Sequence, residues 1–275
     1  MTVPLGYRFA ATYAGVRKTP EDDLALMVSD RPAAAAAVFT TNLVKAAPLI
    51  VSAQYLARSK GTARAIVANA GNANCAAPDG VHVARATARA AARLLRVKEH
   101  EVLVASTGVI GVPLDKKLIV DALPRLAADL TPANFAAAAR AIMTTDTVPK
   151  TASAEVGVKA GVVRIAGMAK GAGMIHPRLA TMLAFLFTDA ALTPSELRPM
   201  LVAAVEASFN RISVDGDTST NDTVYLLANG ASGARPARAG LNKVQVTLTD
   251  VAQQLATAIV RDGEGARKLD RKSVV

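Results

Sequence analysis

Cysteine is nearly absent from this 275-residue sequence, which contains only Cys75 and therefore cannot form an intramolecular disulfide. Such a chain is typical of a reducing compartment. Tryptophan is missing, aromatic residues make up 4% of the chain, and no uncharged apolar run approaches the ~20 residues of a membrane helix. The N-terminus also lacks the basic and apolar regions of a signal peptide. We therefore expect a cytoplasmic protein without a membrane partner.

Apolar residues are plentiful at 51%, and charged residues account for 20%. This composition is typical of a globular protein and excludes intrinsic disorder. The formal net charge is +10. A basic balance suits nucleic acid, an anionic membrane face or small acidic substrates, and net charge alone does not choose among them.

Hydrophobic periodicity predicts strands and helices in an irregular order. The predicted strands cover 24–28, 36–39, 49–51, 64–68, 101–106, 182–187 and 224–227, with a turn at 30–32 and a hairpin over 152–168. The predicted helices cover 80–96, 131–143, 193–208 and 250–260, and a flexible surface loop is expected over 234–240. The hairpin signals favour an α+β class with a single region over a doubly wound parallel sheet.

A glycine-rich segment over 167–173 invites comparison with phosphate-binding loops. In a phosphate loop a lysine follows the last glycine and precedes Ser or Thr, whereas here Lys170 precedes Gly171. A dinucleotide fingerprint beginning at Gly171 would need a third glycine where His176 stands. Both nucleotide motifs are therefore excluded.

No metal site is predicted from the spacing of acidic residues, histidines and cysteine. The loop over 215–222 begins like a calcium-binding loop, but Thr220 occupies the position that requires glycine, so a turn with Asx-type hydrogen bonds is favoured. His82, His100 and His176 lack zinc spacing. A Ser-His-Asp triad stays open, because its members need not be adjacent in sequence.

Four arginines recur at helical spacing opposite the alanine face of the helix predicted over 80–96, namely Arg85, Arg89, Arg93 and Arg96. Such a stripe could follow a phosphate backbone. A solvated helix face is the favoured interpretation, because no aromatic residues or binding motif accompany the stripe.

Thr181 stands between a flexible glycine-rich approach and a buried apolar strand, with the small residue Ala180 before it. Attack of its hydroxyl on the preceding carbonyl would produce an ester, and hydrolysis would free an N-terminal threonine. The α-amino group, with a pKa near ~8, could then act as general base for the hydroxyl. From spacing alone, a β-branched residue at a strand start is the simpler interpretation.

The chain resembles the ornithine acetyltransferase family, the bifunctional glutamate N-acetyltransferases. The segments that carry the resemblance occur in order along nearly the whole chain, at 28–32, 38–42, 71–74, 103–111, 142–147, 167–171, 180–183, 209–211, 221–223 and 259–266. The resemblance implies an α+β fold with layered α/β/β/α sandwich architecture, of the self-processing ornithine acetyltransferase and aminopeptidase type.

The resemblance also implies a reaction. Cleavage between Ala180 and Thr181 would give an α-chain (1–180) and a β-chain whose Thr181 carries an acetyl group from N-acetyl-L-ornithine to L-glutamate. No cofactor is expected, although some family members accept acetyl-CoA as donor. Two α- and two β-chains would form a heterotetramer, with small molecules rather than nucleic acid as partners.

Six positions match functional residues of the family. Thr107 and Gly108 correspond to the oxyanion hole, where a lost donor costs about 3–4 kcal/mol of transition-state stabilisation. The substrate-contact positions are Thr144, Lys170, Thr181 and Glu264, with Thr147 as a neighbour. In this scheme Lys170 holds a substrate carboxylate and Glu264 a substrate ammonium group.

One departure concerns the C-terminal end, because family chains continue well beyond 263–266 and residues 270–275 do not resemble them. The sequence therefore predicts a single catalytic region with an incomplete β-chain over 181–275. An inactive truncated copy, a related self-processing amidohydrolase or aminopeptidase, and a basic nucleic-acid-binding protein are the alternative hypotheses.

Overall fold

The structure, a computed structural model, describes residues 1–176 and 182–270. Within them, eight strands form one mixed β-sheet: β1 (Tyr7–Thr12), β2 (Leu24–Phe39), β3 (Thr62–Asn72), β4 (Val102–Val109), β5 (Lys150–Val158), β6 (Gly161–Lys170), β7 (Leu183–Thr188) and β8 (Thr223–Ala228). The strand order is β4-β3-β2-β8-β7-β6-β5, and β1 pairs with β2. The helices are α1 (Ala47–Arg58), α2 (Gly80–Leu95), α3 (Lys116–Ala128), α4 (Phe135–Ala141), α5 (Pro194–Glu206) and α6 (Arg238–Arg261).

Strand β2 bends in the middle and thereby joins two halves of the sheet. Its first part pairs with β1 and its second part with β8, and the register against β3 shifts between Val28 and Ala33. The predicted turn at 30–32 is thus an irregularity inside one long strand. Arg64 donates to the carbonyl oxygens of Ser29 and Asp30 there, which satisfies backbone groups that the shifted register leaves unpaired.

The two halves pack face to face. The Tyr7 hydroxyl of β1 donates to the Thr188 carbonyl at 3.1 Å, and the Tyr225 hydroxyl of β8 donates to the Val104 carbonyl at 2.9 Å. The rings of Phe9 and Phe187 meet edge to face with centroids 5.3 Å apart. Helices α1 to α3 cover one outer face and α5 and α6 the other. The fold is the predicted α+β class with α/β/β/α layers.

Several predicted elements are confirmed. Helix α2, the β5–β6 hairpin and the fully buried strand β7 lie where the periodicity placed them. The Thr193 hydroxyl accepts from the Glu196 amide and the Glu196 carboxylate accepts from the Thr193 amide, so the capping box at the start of α5 is present. Capping residues reveal helix starts because they satisfy orphan backbone groups locally.

Three local predictions are wrong. Residues 49–51 belong to helix α1 rather than a strand, because Pro48 lies in its first turn and Leu49, Ser52 and Tyr55 bury a helical face. Helix α6 begins at Arg238 instead of residue 250, so the predicted loop over 234–240 is partly helical, and Ala234 is buried. Tertiary packing decided these positions over local pattern.

Candidate active site

The ends of strands from both sheet halves meet where β4 and β6 terminate. Thr107, near the end of β4, and Lys170, the last residue of β6, are both buried. The Lys170 Nζ donates to the Thr107 Oγ1 at 3.3 Å. Face-to-face packing of the two halves therefore brings together two predicted site residues that lie 63 positions apart in the sequence.

Lys170 is a buried cation without a close carboxylate. Its nearest acidic oxygen among the described residues, Asp146 Oδ2, lies 3.9 Å away. Burial lowers the pKa of Lys170, while the charges of Asp146 and Asp222 oppose this shift. The carboxylate partner of Lys170 lies beyond hydrogen-bonding distance, and Thr107 is the one acceptor of its ammonium group among the described residues. Such a group can bind an incoming anion with its remaining N–H donors.

Asp146 connects Lys170 to a second buried lysine, Lys150. The Asp146 Oδ1 accepts from Lys150 Nζ at 2.5 Å and from the Gly171 amide at 2.6 Å. Lys150 Nζ also donates to Asp262 Oδ2 at 2.5 Å. Burial alone would raise the pKa of Asp146, but the charges of Lys170 and Lys150 and the Gly171 amide hold it below its ordinary value. Asp146 is therefore an ionised anchor for the end of β6.

Asp222 lies fully buried in front of β8 and is bonded to the residue that follows the predicted nucleophile. Its Oδ1 accepts from the Met182 amide at 2.9 Å, whereas its Oδ2 has no hydrogen-bond partner within the described parts of the chain. Burial raises the pKa of Asp222 to about 7, against the effect of the Met182 amide. A carboxyl group with this pKa can accept or release a proton near neutral pH.

Gly108 needs its lack of a side chain. Its φ is +133°, and a Cβ there would lie 2.3 Å from the Gly71 carbonyl carbon on the neighbouring strand. The Asn221 side-chain amide holds strand β4 just before Gly108, because it donates to the Ser106 carbonyl at 2.8 Å and to the Ala73 carbonyl at 2.7 Å. Fixed, uncovered backbone of this kind suits an oxyanion-binding site.

The remaining predicted substrate positions surround this centre. The Thr144 amide donates to Asp146 Oδ2 at 3.0 Å, which places the partly buried Thr144 beside the Asp146 network. Glu264 is exposed, its amide donates to the Ala172 carbonyl, and a Cβ on Gly173 would lie 2.8 Å from its carboxylate. Thr147 instead bonds Asp262 through its amide and hydroxyl groups.

The predicted nucleophile Thr181 and the cleavage-site partner Ala180 lie outside the described residues. The chain is described up to His176 and again from Met182. Met182 is buried and is held by Asp222 on one side and by the Thr223 amide, which donates to its carbonyl at 3.1 Å, on the other.

Two acidic residues of this site, Asp146 and Asp222, received no role from the sequence. Both stand in segments that carry the family resemblance, 142–147 and 221–223. In the sequence each is an aspartate next to a threonine, a pattern that many turns share. Burial of the carboxylates, which only the fold creates, sets them apart.

The other candidate sites have different surroundings. On α2, Arg85 donates to Gln54 and Arg89 to Glu99, so two of the four stripe arginines contact neighbouring elements.

The Asp217 amide donates to Asp215 Oδ1 at 3.2 Å, which confirms the predicted Asx-type turn. Within residues 1–176 and 182–270 no cluster of three His, Cys, Asp or Glu side chains is placed to hold a metal ion. In the same ranges, every helix is too short or too polar to cross a bilayer.

The layered fold defines the class. The solved structure of an L-aminopeptidase D-Ala-esterase/amidase from Ochrobactrum anthropi, a variant of the Ntn hydrolase fold, superposes with a TM-score of 0.55 over 94% of this chain and 85% of its own. The two sequences are 12% identical, so this likeness shows the fold alone.

Within that class, the chain belongs to the ArgJ family, whose sequence model matches residues 8–275. The arginine biosynthesis bifunctional protein ArgJ of Nitratidesulfovibrio vulgaris is 49% identical over 98% of this chain and 69% of its own length. The solved ornithine acetyltransferase of Mycobacterium tuberculosis, complexed with ornithine, is 35% identical, with a TM-score of 0.56 over 64% of this chain and 93% of that one. The resemblance read from the sequence motifs is confirmed.

Proposed function

We propose that this chain moves an acetyl group from N-acetyl-L-ornithine to L-glutamate through an acetyl-threonine intermediate on Thr181, after self-cleavage between Ala180 and Thr181. As a member of the ArgJ family it is an acyltransferase of arginine biosynthesis. The observation that carries the proposed chemistry is the buried Lys170 at 3.3 Å from Thr107, with its nearest carboxylate oxygen at 3.9 Å.

Self-cleavage is supported by the surroundings of Met182. The Thr181 hydroxyl would attack the Ala180 carbonyl carbon, the peptide C–N bond would break, and the hydroxyl proton would pass to the departing nitrogen. Water would then hydrolyse the ester and leave a free α-amino group on Thr181. The Asp222 carboxylate accepts from the Met182 amide at 2.9 Å, and its second oxygen has no hydrogen-bond partner among the described residues. Asp222 can therefore fix this strand start and exchange a proton nearby.

Acyl transfer is supported by the backbone at the end of β4. When the Thr181 oxygen attacks the acetyl carbonyl of N-acetylornithine, negative charge develops on the carbonyl oxygen. The Thr107 hydroxyl and the Gly108 amide are the donors assigned to that oxygen. Ornithine leaves with a proton on its nitrogen, and the amine of glutamate then attacks the acetyl ester and regenerates the threonine.

Substrate recognition follows from charge. Lys170 would bind a carboxylate, and such a charge-assisted contact is strong in a buried setting. Glu264, at the exposed end of the site, would bind the side-chain ammonium group of ornithine, and Thr144 would line the path between them. The exposed carboxylate and the buried ammonium group thus match the two charged ends of ornithine.

Three further features belong to this proposal. The products of cleavage would assemble as a heterotetramer of two α- and two β-chains in the cytoplasm. Acetyl-CoA would serve as a second acetyl donor. Since the chain spans about two thirds of the length of its ArgJ relatives, each of these features needs its own assay.

The proposed function is tested by intact mass spectrometry of the purified chain. We expect two fragments, one ending at Ala180 and one beginning at Thr181, and a single uncut chain for Thr181→Ala. Incubation with N-acetylornithine should add the mass of one acetyl group to the Thr181 fragment alone. Addition of L-glutamate should remove this adduct and produce N-acetylglutamate.

The matched control is Thr247→Ala, which removes an equivalent hydroxyl from α6, where it bonds the Lys243 carbonyl at 2.9 Å. This variant should cleave and acetylate like the wild type. Release of acetate in place of N-acetylglutamate would assign the chain to the related amidohydrolases. A soluble wild-type chain that stays uncut and gains no acetyl mass would refute the proposal.

A further inference from the structure

Arg17 carries an unused hydrogen-bonding group inside the protein. Its Nη2 is buried and has no hydrogen-bond partner in the described parts of the chain. Its only ion pair there joins Nη1 to Glu21 at 3.3 Å, and the Glu21 side chain is 71% exposed. The N–H donors of buried guanidinium groups normally have hydrogen-bond acceptors, so a buried donor without an acceptor indicates that a binding partner is missing.

The loop that holds Arg17 is fixed independently of its side chain. Asp23 is fully buried, and its carboxylate accepts from the Ala14 amide at 2.6 Å and the Arg17 amide at 2.8 Å. The Asp23 carbonyl in turn accepts from the Ala70 amide of β3 at 2.8 Å. The guanidinium group is therefore presented by a rigid backbone and contributes little to holding the loop.

This anchoring places Arg17 against the glycine pair of the oxyanion site. A Cβ on Gly71 would lie 3.0 Å from Arg17 Cγ, and a Cβ on Gly108 would lie 2.3 Å from the Gly71 carbonyl carbon. Arg17 thus packs against Gly71, which in turn packs against Gly108. The Arg17 charge also reaches Lys170, whose pKa it helps burial to lower. Among the described residues, Lys170 has no carboxylate oxygen nearer than 3.9 Å, and the carboxylate paired with Arg17 is that of the largely exposed Glu21.

We propose that Arg17 binds the α-carboxylate of the amino-acid substrate together with Lys170, as a two-cation clamp. A guanidinium group offers two parallel N–H donors that match a carboxylate, whereas an ammonium group acts as a point charge. Arg17 thus supplies direction and Lys170 supplies charge. The clamp selects substrates with a free α-carboxylate, and it rests on the proposed function for the identity of those substrates.

The test compares N-acetyl-L-ornithine with its α-carboxamide, which keeps the shape and loses the negative charge. Binding is measured by titration calorimetry in the Thr181→Ala background, and transfer is measured with the self-cleaving chain. With Arg17 present, the protein should bind N-acetyl-L-ornithine, the acid, more tightly than its carboxamide. Arg17→Gln should weaken binding of the acid about 10- to 100-fold. Binding of the carboxamide should change less than about 3-fold, since it offers no charge to pair.

Two variants serve as controls. Arg17→Lys keeps the charge without the fork and should recover part of the lost affinity. Arg93→Gln removes an exposed arginine of α2 and should leave both affinities unchanged. Unfolding midpoints of all variants should agree with the parent, because the Arg17 backbone holds the loop.

The outcomes separate the two proposals. An acid preference that survives Arg17→Gln refutes the clamp, whether or not N-acetylglutamate is formed. An acid preference that depends on Arg17, without any acetyl transfer, supports the clamp and refutes the proposed function. Absence of binding in the Thr181→Ala background, together with absence of acetyl transfer by the self-cleaving chain, refutes both.

Discussion

Two buried lysines at the ends of paired strands, Lys150 on β5 and Lys170 on β6, have opposite surroundings. Lys150 pairs with Asp146 and with Asp262, each at 2.5 Å, and also donates to the Val148 carbonyl at 3.4 Å. Lys170 donates only to the Thr107 hydroxyl among the described residues, and its nearest acidic oxygen is 3.9 Å away.

Lysine therefore has two different roles at neighbouring positions of this fold. Lys150 neutralises two carboxylates that tie β5 to the end of α6, so its interactions are completed within the protein. Lys170 is equally buried, yet its charge is balanced only at a distance. Burial of a cation without a carboxylate in hydrogen-bonding distance costs stability, which supports the proposal that a substrate carboxylate binds Lys170.

The largest effect on stability is expected for Lys150→Met. Loss of this ammonium group leaves Asp146 and Asp262 without a close cation, because Lys170 is 3.9 Å from Asp146. We expect the free energy of unfolding to fall by about 3–5 kcal/mol. Urea denaturation in the Thr181→Ala background, which keeps the chain in one piece, measures this change. A loss below about 1 kcal/mol would contradict the structural role of Lys150.

A second prediction concerns Asp222 and pH. The pKa of this carboxyl group is about 7 in the fold and 3.8 ordinarily, so between these values the folded state keeps a proton that the unfolded chain has lost. The stabilisation is complete below the ordinary pKa and disappears as the pH rises through 7. Integration gives at most about 4 kcal/mol, of which roughly 2–3 kcal/mol falls between pH 5 and pH 8.

Asp222→Asn should remove this pH dependence while retaining an oxygen for the Met182 amide. Between pH 5 and pH 8 the parent chain should therefore lose roughly 2–3 kcal/mol more stability than the variant. The exposed Asp79→Asn variant should follow the parent. Equal pH slopes for the parent and Asp222→Asn would show that this carboxyl group ionises normally in the fold. The carboxylates paired with Lys150 behave oppositely, because their lowered pKa values add stability that is lost on acidification.

The smallest change in stability is expected for Lys170→Met. Asp146 keeps Lys150, the Gly171 amide and the Thr144 amide as partners, so the free energy of unfolding should change by less than about 1 kcal/mol. The KM for N-acetylornithine should nevertheless rise about 10- to 100-fold, because the buried contact to its carboxylate is lost. Denaturation and steady-state transfer assays check the two halves of this prediction. A large stability loss with an unchanged KM would mean that Lys170, like Lys150, serves the fold rather than the substrate.

Local sequence pattern correctly predicted those helices and strands whose own residues supply the pattern. The alanine face of α2, the capping box at Thr193 and the uninterrupted apolar residues of β7 each predicted their element. Pattern was insufficient for α3, which carries Pro124 internally, and for the polar first half of α6. These helices depend on burial against neighbours, which overrides weak local propensity.

The sequence alone identified the family, because its motifs can be recognised in order without knowledge of the fold. The same motifs predicted the cleavage site and marked Thr107 and Lys170 as candidate site residues. In contrast, which charged groups are buried, which form ion pairs and which lack a hydrogen-bond partner became known only from the folded structure. Asp222, Arg17 and Lys150 look like ordinary charged residues in the sequence. Their pKa values and unused donors arise from distances between strands that are far apart along the chain, and such distances exist only once the two halves of the sheet have packed together.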